Sequence, residues 1–264
     1  MTDPVRVRVR LFAVQRELAG TREVALELTP PATIEDAWQA LVAIYPVLAP
    51  GRPAIRFARN AAYAPAAEPL SDGDEVAMIP PVSGGADGVD GAEVREAGQE
   101  PPQPRRIIEL REEAFGPAIL ADLAGRLLVP ADGAVVGFLG VTRKSPGTPA
   151  PGQEAAAASH RDRTVDALEY EAHPEMARRV IAAIADEIES RFEVDRLAIV
   201  HRVGRVPLGE PSIAIVTCAP HRDAAFAAAR YAIDETKARA PIWKAEYFED
   251  GHVWIGEPPR DAPE

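Results

Sequence analysis

Cysteine is nearly absent. Cys218 is the only one in 264 residues, which excludes an intrachain disulfide and a thiolate metal cluster and suits a reducing compartment. Any sulfur chemistry is therefore not cysteine-pair chemistry. Long apolar runs are missing as well. No stretch approaches the roughly 18 residues of a membrane span, and Met1–Arg10 alternates valine with charge where a secretion signal would have an unbroken apolar core. The expectation is a soluble, cytoplasmic protein with no membrane partner. An excess of positive charge is also lacking: 29 Lys and Arg against 41 Asp and Glu leave a formal net charge of -12. A field of that sign repels phosphates, so nucleic acid is not an expected partner, and an anionic ligand must meet a local cluster of cations.

What is present is enough apolar material, 47% of the chain, to bury two cores of ordinary size. The composition changes abruptly after Gly85. Residues 86–103 read ADGVDGAEVREAGQEPPQ, rich in Gly, Pro and acids and too poor in large apolar residues to offset the entropy of ordering. This predicts a flexible linker over 86–104 between a domain at 1–85 and one at 105–264. As a random coil of about 20 residues it spans roughly 25 Å, which tethers the two without fixing their geometry. A second stretch of similar composition, Ser145–Arg163, predicts a mobile surface loop. No repeat at a fixed period argues for a solenoid.

In the first domain Val5, Val7, Val9 and Leu11 alternate with Arg6, Arg8 and Arg10, a period of two that gives a strand with one apolar face. Val24–Leu28 predicts a second strand. Thr33 suits the cap of a helix from Ile34 to about Tyr45, stopped with help from Pro46. Ile55–Ala58 follows, then the turn Ser71–Asp74 and a strand Glu75–Ile79 ended by Pro80 and Pro81. That order suggests a ubiquitin-like β-grasp. In the second domain, strands are expected at Ala134–Thr142, Val165–Tyr170, Leu197–Val203 and Ile213–Cys218, with long helices at about Pro174–Phe192 and His221–Arg239. Two helices beside a sheet make an α/β sandwich, so the whole chain reads as α+β.

Two features carry chemistry. The first is the tail Pro80-Pro81-Val82-Ser83-Gly84-Gly85, an extended strip without a side chain at its end, suited to threading a narrow tunnel. On spacing alone the plainer reading, that Gly84-Gly85 opens the linker, is favoured. The second is a set of cations at strand and helix ends: Arg143, His221, Arg222, Lys237, Arg239 and Lys244. Such a set can hold phosphate through Arg forks and movable lysine charge. Each has an ordinary structural alternative. Lys237 and Arg239 complement a helix dipole, Lys244 snorkels beside Trp243, and His221 caps its helix. His173 is expected to end a strand, His201 to pack at a strand edge, and Cys218 to fill core space.

Specific strings shift that balance. RLFAVQRELAG at Arg10–Gly20 and LSDGDEVAMIPPVSGG at Leu70–Gly85, with the β-grasp order, resemble the small sulfur-carrier subunit of molybdopterin synthase over nearly all of residues 5–85. GFLGVTRK at Gly137–Lys144, LEYEAHPEMA at Leu168–Ala177, VHRVG at Val200–Gly204, CAPHRDAAF at Cys218–Phe226 and DETKARAPIWKAE at Asp234–Glu246 resemble the large, catalytic subunit over about 105–257.

The resemblance implies a MoaD-like carrier joined to a MoaE-like hammerhead fold. It implies that Gly85 is adenylated, then converted to a thiocarboxylate whose sulfur goes to cyclic pyranopterin monophosphate. Lys237 and Lys244 would be the catalytic lysines, Arg143, His221 and Arg222 would bind substrate, and Ala245 and Glu246 would complete the pocket. No metal or other cofactor is implied. The partners implied are the substrate, an adenylating and sulfurating enzyme for the tail, and a second copy of the chain through the C-terminal domain. The chain departs from the pattern in three places. Val141 and Pro258 stand where the family commonly has basic residues, and Gly85 lies inside the chain without a free carboxylate, which calls for a processing protease acting after it. Two rival readings are an uncut, catalytically silent fusion and a sulfur carrier for another pathway such as thiazole synthesis.

Overall fold

The computed structural model describes residues 3–81, 105–146 and 163–255. The tail Val82–Gly85, the 86–104 linker and all but the ends of the 145–163 loop lie outside the described residues. The chain divides into two compact units, one built on Met1–Pro81 and the other on the described residues from Arg105 to Ile255. Each has its own core.

The first unit is a five-stranded sheet in the order β2-β1-β5-β3-β4 crossed by one long helix. Strand β1 (Val5–Leu11) pairs antiparallel with β2 (Glu23–Leu28) and parallel with β5 (Glu75–Ile79). The Val/Arg alternation buries Val7, Val9 and Leu11 while the arginines meet carboxylates, Arg6 pairing with Asp72 at 3.0 Å and Arg8 with Glu75 at 2.9 Å. Helix α2 (Ile34–Ile44) begins in a capping box: Asp36 N–H donates to Thr33 Oγ1 at 3.3 Å and Thr33 N–H donates to the Asp36 carboxylate at 2.8 Å, so two orphan donors are satisfied reciprocally. Ile34, Trp38 and Leu41 lie against Val9, Leu11, Phe57 and Met78 in one core. Together with β3 (Arg56–Arg59) and β4 (Ala62–Ala64) this is the expected β-grasp. Three elements go beyond the sequence reading: a short helix α1 (Ala13–Ala19), closed by Gly20 in the left-handed conformation, a 3-10 helix at Pro46–Ala54, and strand β4.

The second unit holds two four-stranded sheets where the sequence suggested one. The first runs β6-β9-β11-β7, from β6 (Arg106–Arg111), β9 (Arg196–Arg202), β11 (Pro211–Ala219) and β7 (Ala134–Val141). All nine residues of β11 are buried because both faces are covered. Ile213 and Ile215, with Leu197 and Ile199 of β9, join the core under α4 (Pro174–Phe192) and α5 (Arg222–Arg239). Their neighbours Ala214, Val216, Ala198 and Val200 face the other way, toward α3 (Ile119–Leu127). A strand covered on both sides reads as a continuous apolar run, as IAIVTC does. The second sheet runs β10-β8-β12-β13, from β10 (Gly204–Pro207), β8 (Ala167–Ala172), β12 (Ile242–Phe248) and β13 (Gly251–Ile255). Tyr170, Ala172 and Ile242 bring its inner face into the same core as α4 and α5. Among the described residues no helix is long and apolar enough to cross a membrane.

Candidate active site

The two lysines of the KARAPIWK run come from different elements. Lys237 sits in the last turn of α5, and Pro241 follows Ala240, the C-cap, so the chain turns at once into β12, which carries Lys244. Lys244 is half-buried, and its ammonium donates to Glu246 at 3.0 Å. The two residues are one pleat apart on the same face of the strand, and the Glu246 side chain is only 4% exposed. A carboxylate that deep is costly without a counter-ion, so each charge fixes the other. Ala245, between them, points to the opposite face and is fully buried, so it does not join the lysines.

Lys237 is exposed as a residue, yet its pKa is lowered. Loss of water around the ammonium is the largest cause, the like charges of Lys244 and Arg143 add to it, and Asp234 opposes it. The fold therefore brings Lys237, Lys244 and Arg143 within electrostatic reach of one another. Arg143 follows β7 on a backbone held at both sides. Thr142 N–H donates to Glu210 O at 2.9 Å, Gly209 N–H donates to Thr142 O at 2.9 Å, and Val165 N–H donates to Lys144 O at 2.9 Å. The guanidinium itself is exposed, with one bond to Pro146 O at 3.3 Å.

Behind the lysines lies a polar group that the sequence reading did not single out. Tyr170 is the direct cross-strand partner of Lys244, hence on the same face. Its hydroxyl donates to Ser212 Oγ at 3.3 Å, and Ser212 donates to Gly140 O at 3.4 Å, linking the two sheets. Burial above all raises the Tyr170 pKa, the Ser212 bond opposes the shift, and the nearby Glu246 charge adds to it. The ring of His201 meets Tyr170 edge-on with centroids 4.8 Å apart. Nδ1 of His201 is 2.6 Å from the Arg202 carbonyl. Burial pushes the imidazole down to about 4, that carbonyl opposes the shift, and the Lys237 charge adds to it. Nδ1 is then the protonated nitrogen and donates. His201 does not pack at a strand edge, contrary to expectation, because strand β9 lies between β6 and β11 and the residue is buried. His173 is the N-cap of α4, its Nδ1 accepting from Met176 N–H at 3.5 Å. Cys218 lies in the core under α3, and burial raises its thiol to about 11.

His221 and Arg222 are not brought to the lysines within one chain. They start α5, both exposed, and His221 makes no side-chain cap. Fifteen residues of helix separate Arg222 from Lys237, about 22 Å at 1.5 Å per residue. Gly85 lies outside the described residues.

A cluster of three cations with one lysine made easier to deprotonate can bind an anion, neutralise charge that develops on it and move a proton. The relatives of the chain show the family to which this domain belongs. The family model described as MoaE protein matches residues 111–239, and that of the ThiS family matches residues 9–85. The molybdopterin synthase catalytic subunit of Oryza sativa subsp. indica is 39% identical over 148 residues, which is 56% of this chain and 69% of the relative. The protein of the same name from Halalkalibacterium halodurans is 34% identical over 141 residues, 53% of this chain and 81% of the relative. A crystal structure of molybdopterin synthase from Staphylococcus aureus, 30% identical, covers 60% of this chain and 100% of that one with a TM-score of 0.47. On the extent of these sequence matches, the chain belongs to the molybdopterin synthase catalytic subunit family and carries, ahead of that domain, a second one of the ThiS family.

Proposed function

We propose that this enzyme of molybdopterin synthesis transfers sulfur from a thiocarboxylate on Gly85 to cyclic pyranopterin monophosphate. In each transfer the thiocarboxylate sulfur displaces an oxygen of the substrate, and water then cleaves the resulting thioester, leaving the sulfur behind and returning Gly85 as a carboxylate. Two transfers open the cyclic phosphate and build the dithiolene, so two charged carriers are consumed for each product. The observation that supports this reading most is that Lys237 feels the charges of both Lys244 and Arg143, with Lys244 held to the buried Glu246. Arg143 and Lys244 hold phosphate and offset charge on the departing oxygen. Lys237, easier to deprotonate than an ordinary lysine, moves the proton. A ThiS-family domain alone suits a carrier for more than one pathway, and its union with the catalytic domain in one chain favours this one.

Charging the tail requires a free carboxylate on Gly85, so the reading includes a protease that cuts after Gly85 and a separate enzyme that adenylates and sulfurates the new terminus. The reaction is cytoplasmic, where both would meet the chain. The distance along α5 adds a further point. If His221 and Arg222 serve the same phosphate as Lys237, they come from a second copy of the chain, and a symmetric dimer of catalytic domains supplies them reciprocally.

The test is a single-turnover reaction. A fragment 1–85 made with a C-terminal thiocarboxylate is mixed with the catalytic unit and cyclic pyranopterin monophosphate, and the dithiolene product is measured. Product is expected from the unaltered unit and none above background from Lys237→Ala. Near-normal product from Lys237→Ala would remove the assignment.

A further inference from the structure

Arg239 belongs to the same basic run as Lys237 and Lys244, yet the fold withdraws it from the anion-binding set. Its Nη1 and Nη2 each donate at 2.8 Å to a different oxygen of Glu187 on α4, and Nη1 also reaches Glu235 at 3.2 Å. The Tyr231 hydroxyl donates to the same Glu187 carboxylate at 2.5 Å. These bonds, the Arg239 pair first, hold the Glu187 carboxyl below its ordinary pKa against the effect of burial. Tyr231, Glu235 and Arg239 are spaced by four and form one stripe of α5. The buried stripe of Ala225, Ala229, Ala232, Thr236 and Ala240 runs beside it. At 100° per residue Lys237 leaves the helix about 160° round from Arg239, on the other flank of that buried stripe. Whatever fixes Arg239 therefore fixes the direction of Lys237. Because β12 starts three residues after Arg239, it also fixes the approach of Lys244.

We propose that Glu187 is a positioning residue for the lysine pair: by gripping Arg239 and Tyr231 it sets the rotation of the last turns of α5 and aims Lys237 at Lys244. The inference rests on Lys237 being the working lysine of the proposed reaction. A planar fork on a carboxylate restrains rotation in a way that a single point charge does not. Around Lys237 the charged and titratable groups are Lys244 of β12, Arg143 after β7, Asp234 of α5 itself and His201 of β9. A small rotation of the helix end carries its ammonium away from the first two and into water.

The variants Glu187→Gln and Arg239→Lys of the full chain test this. Each is treated with acetic anhydride over a range of pH, and acylation of Lys237 is read by peptide mass spectrometry beside the rate of sulfur transfer from a thiocarboxylated fragment 1–85 supplied in trans. The acylation midpoint of Lys237 is expected to rise toward that of an ordinary lysine in both variants, while transfer falls roughly tenfold or more from misplacement and its pH profile moves to the alkaline side. An unchanged midpoint and an unchanged rate in both variants, with melting temperatures near that of the unaltered chain, would overturn the proposal. Should both variants unfold, Tyr231→Phe removes one bond to Glu187 and is expected to give a smaller shift of the same sign; no shift there overturns it. A raised midpoint in a chain that transfers no sulfur even when unaltered would uphold the positioning role and reject the sulfur-transfer reading.

Discussion

Lys237 and Lys244 carry the same charge in different settings, and substitution should separate them. Lys244 is an ion-pair partner of a nearly fully buried carboxylate, so Lys244→Ala takes a charged hydrogen bond from Glu246 and should lower stability by about 1.5–3 kcal/mol. Lys237→Ala removes a like charge from Lys244 and Arg143. It should abolish transfer while leaving thermal stability unchanged or slightly higher, and thermal melts of the two variants check the contrast. His201 makes a separate prediction about acid. Its folded pKa, about 4, lies below the ordinary 6.5, so protonation favours the unfolded chain. Its contribution to stability is complete above pH 6.5 and is lost as pH falls toward 4, by on the order of 3 kcal/mol. His201→Gln, which does not titrate, should lose less stability than the unaltered chain between pH 6.5 and 4 in denaturant titrations. An identical pH dependence would contradict the assignment. At this scale the lysines were legible because both lie in one short motif. Tyr170, Ser212 and His201 were not, because what joins them is the register of two sheets, and no local spacing records that.

Elements were legible where one physical pattern dominated. Thr33 announced α2, the Val/Arg alternation announced β1, and the Pro174–Phe192 helix has the bounds expected of it. Strand β12 was missed as a strand because both of its faces are covered, while Lys244 and Glu246 inside it look like solvent-facing charges. Helix α1 was missed because seven residues are too few for a helical period to show. Helix α3, which covers the outer face of the β11 sheet, was likewise not foreseen. Close packing between strands leads to the prediction at this scale. A Cβ on Gly140 of β7 would lie 2.7 Å from Ile213 Cγ2, and Ile213 is buried with little room to yield. Gly140→Ala should cost about 1–3 kcal/mol and loosen the Ser212 bond to the Gly140 carbonyl, read as a lower melting temperature with weaker transfer.

At the scale of the molecule, the chain joins a ThiS-family domain to a molybdopterin synthase catalytic domain, with separate cores in the two units. Composition alone makes this division visible, since residues 86–103 are too poor in large apolar side chains to form a core of their own. A net charge of -12 also means that most of the surface repels an anion, so the proposed substrate would be drawn to the three clustered cations of the catalytic unit. Covalent continuity through Gly85 is the feature that sets this chain against the proposed chemistry, because a glycine in mid-chain cannot become a thiocarboxylate. The central claim is tested most directly by the intact mass of the protein purified from its native cell while it is making the cofactor. A fragment ending at Gly85, present partly with sulfur in place of one terminal oxygen, is the predicted result. A chain found only whole would contradict the account and assign the sulfur to another carrier.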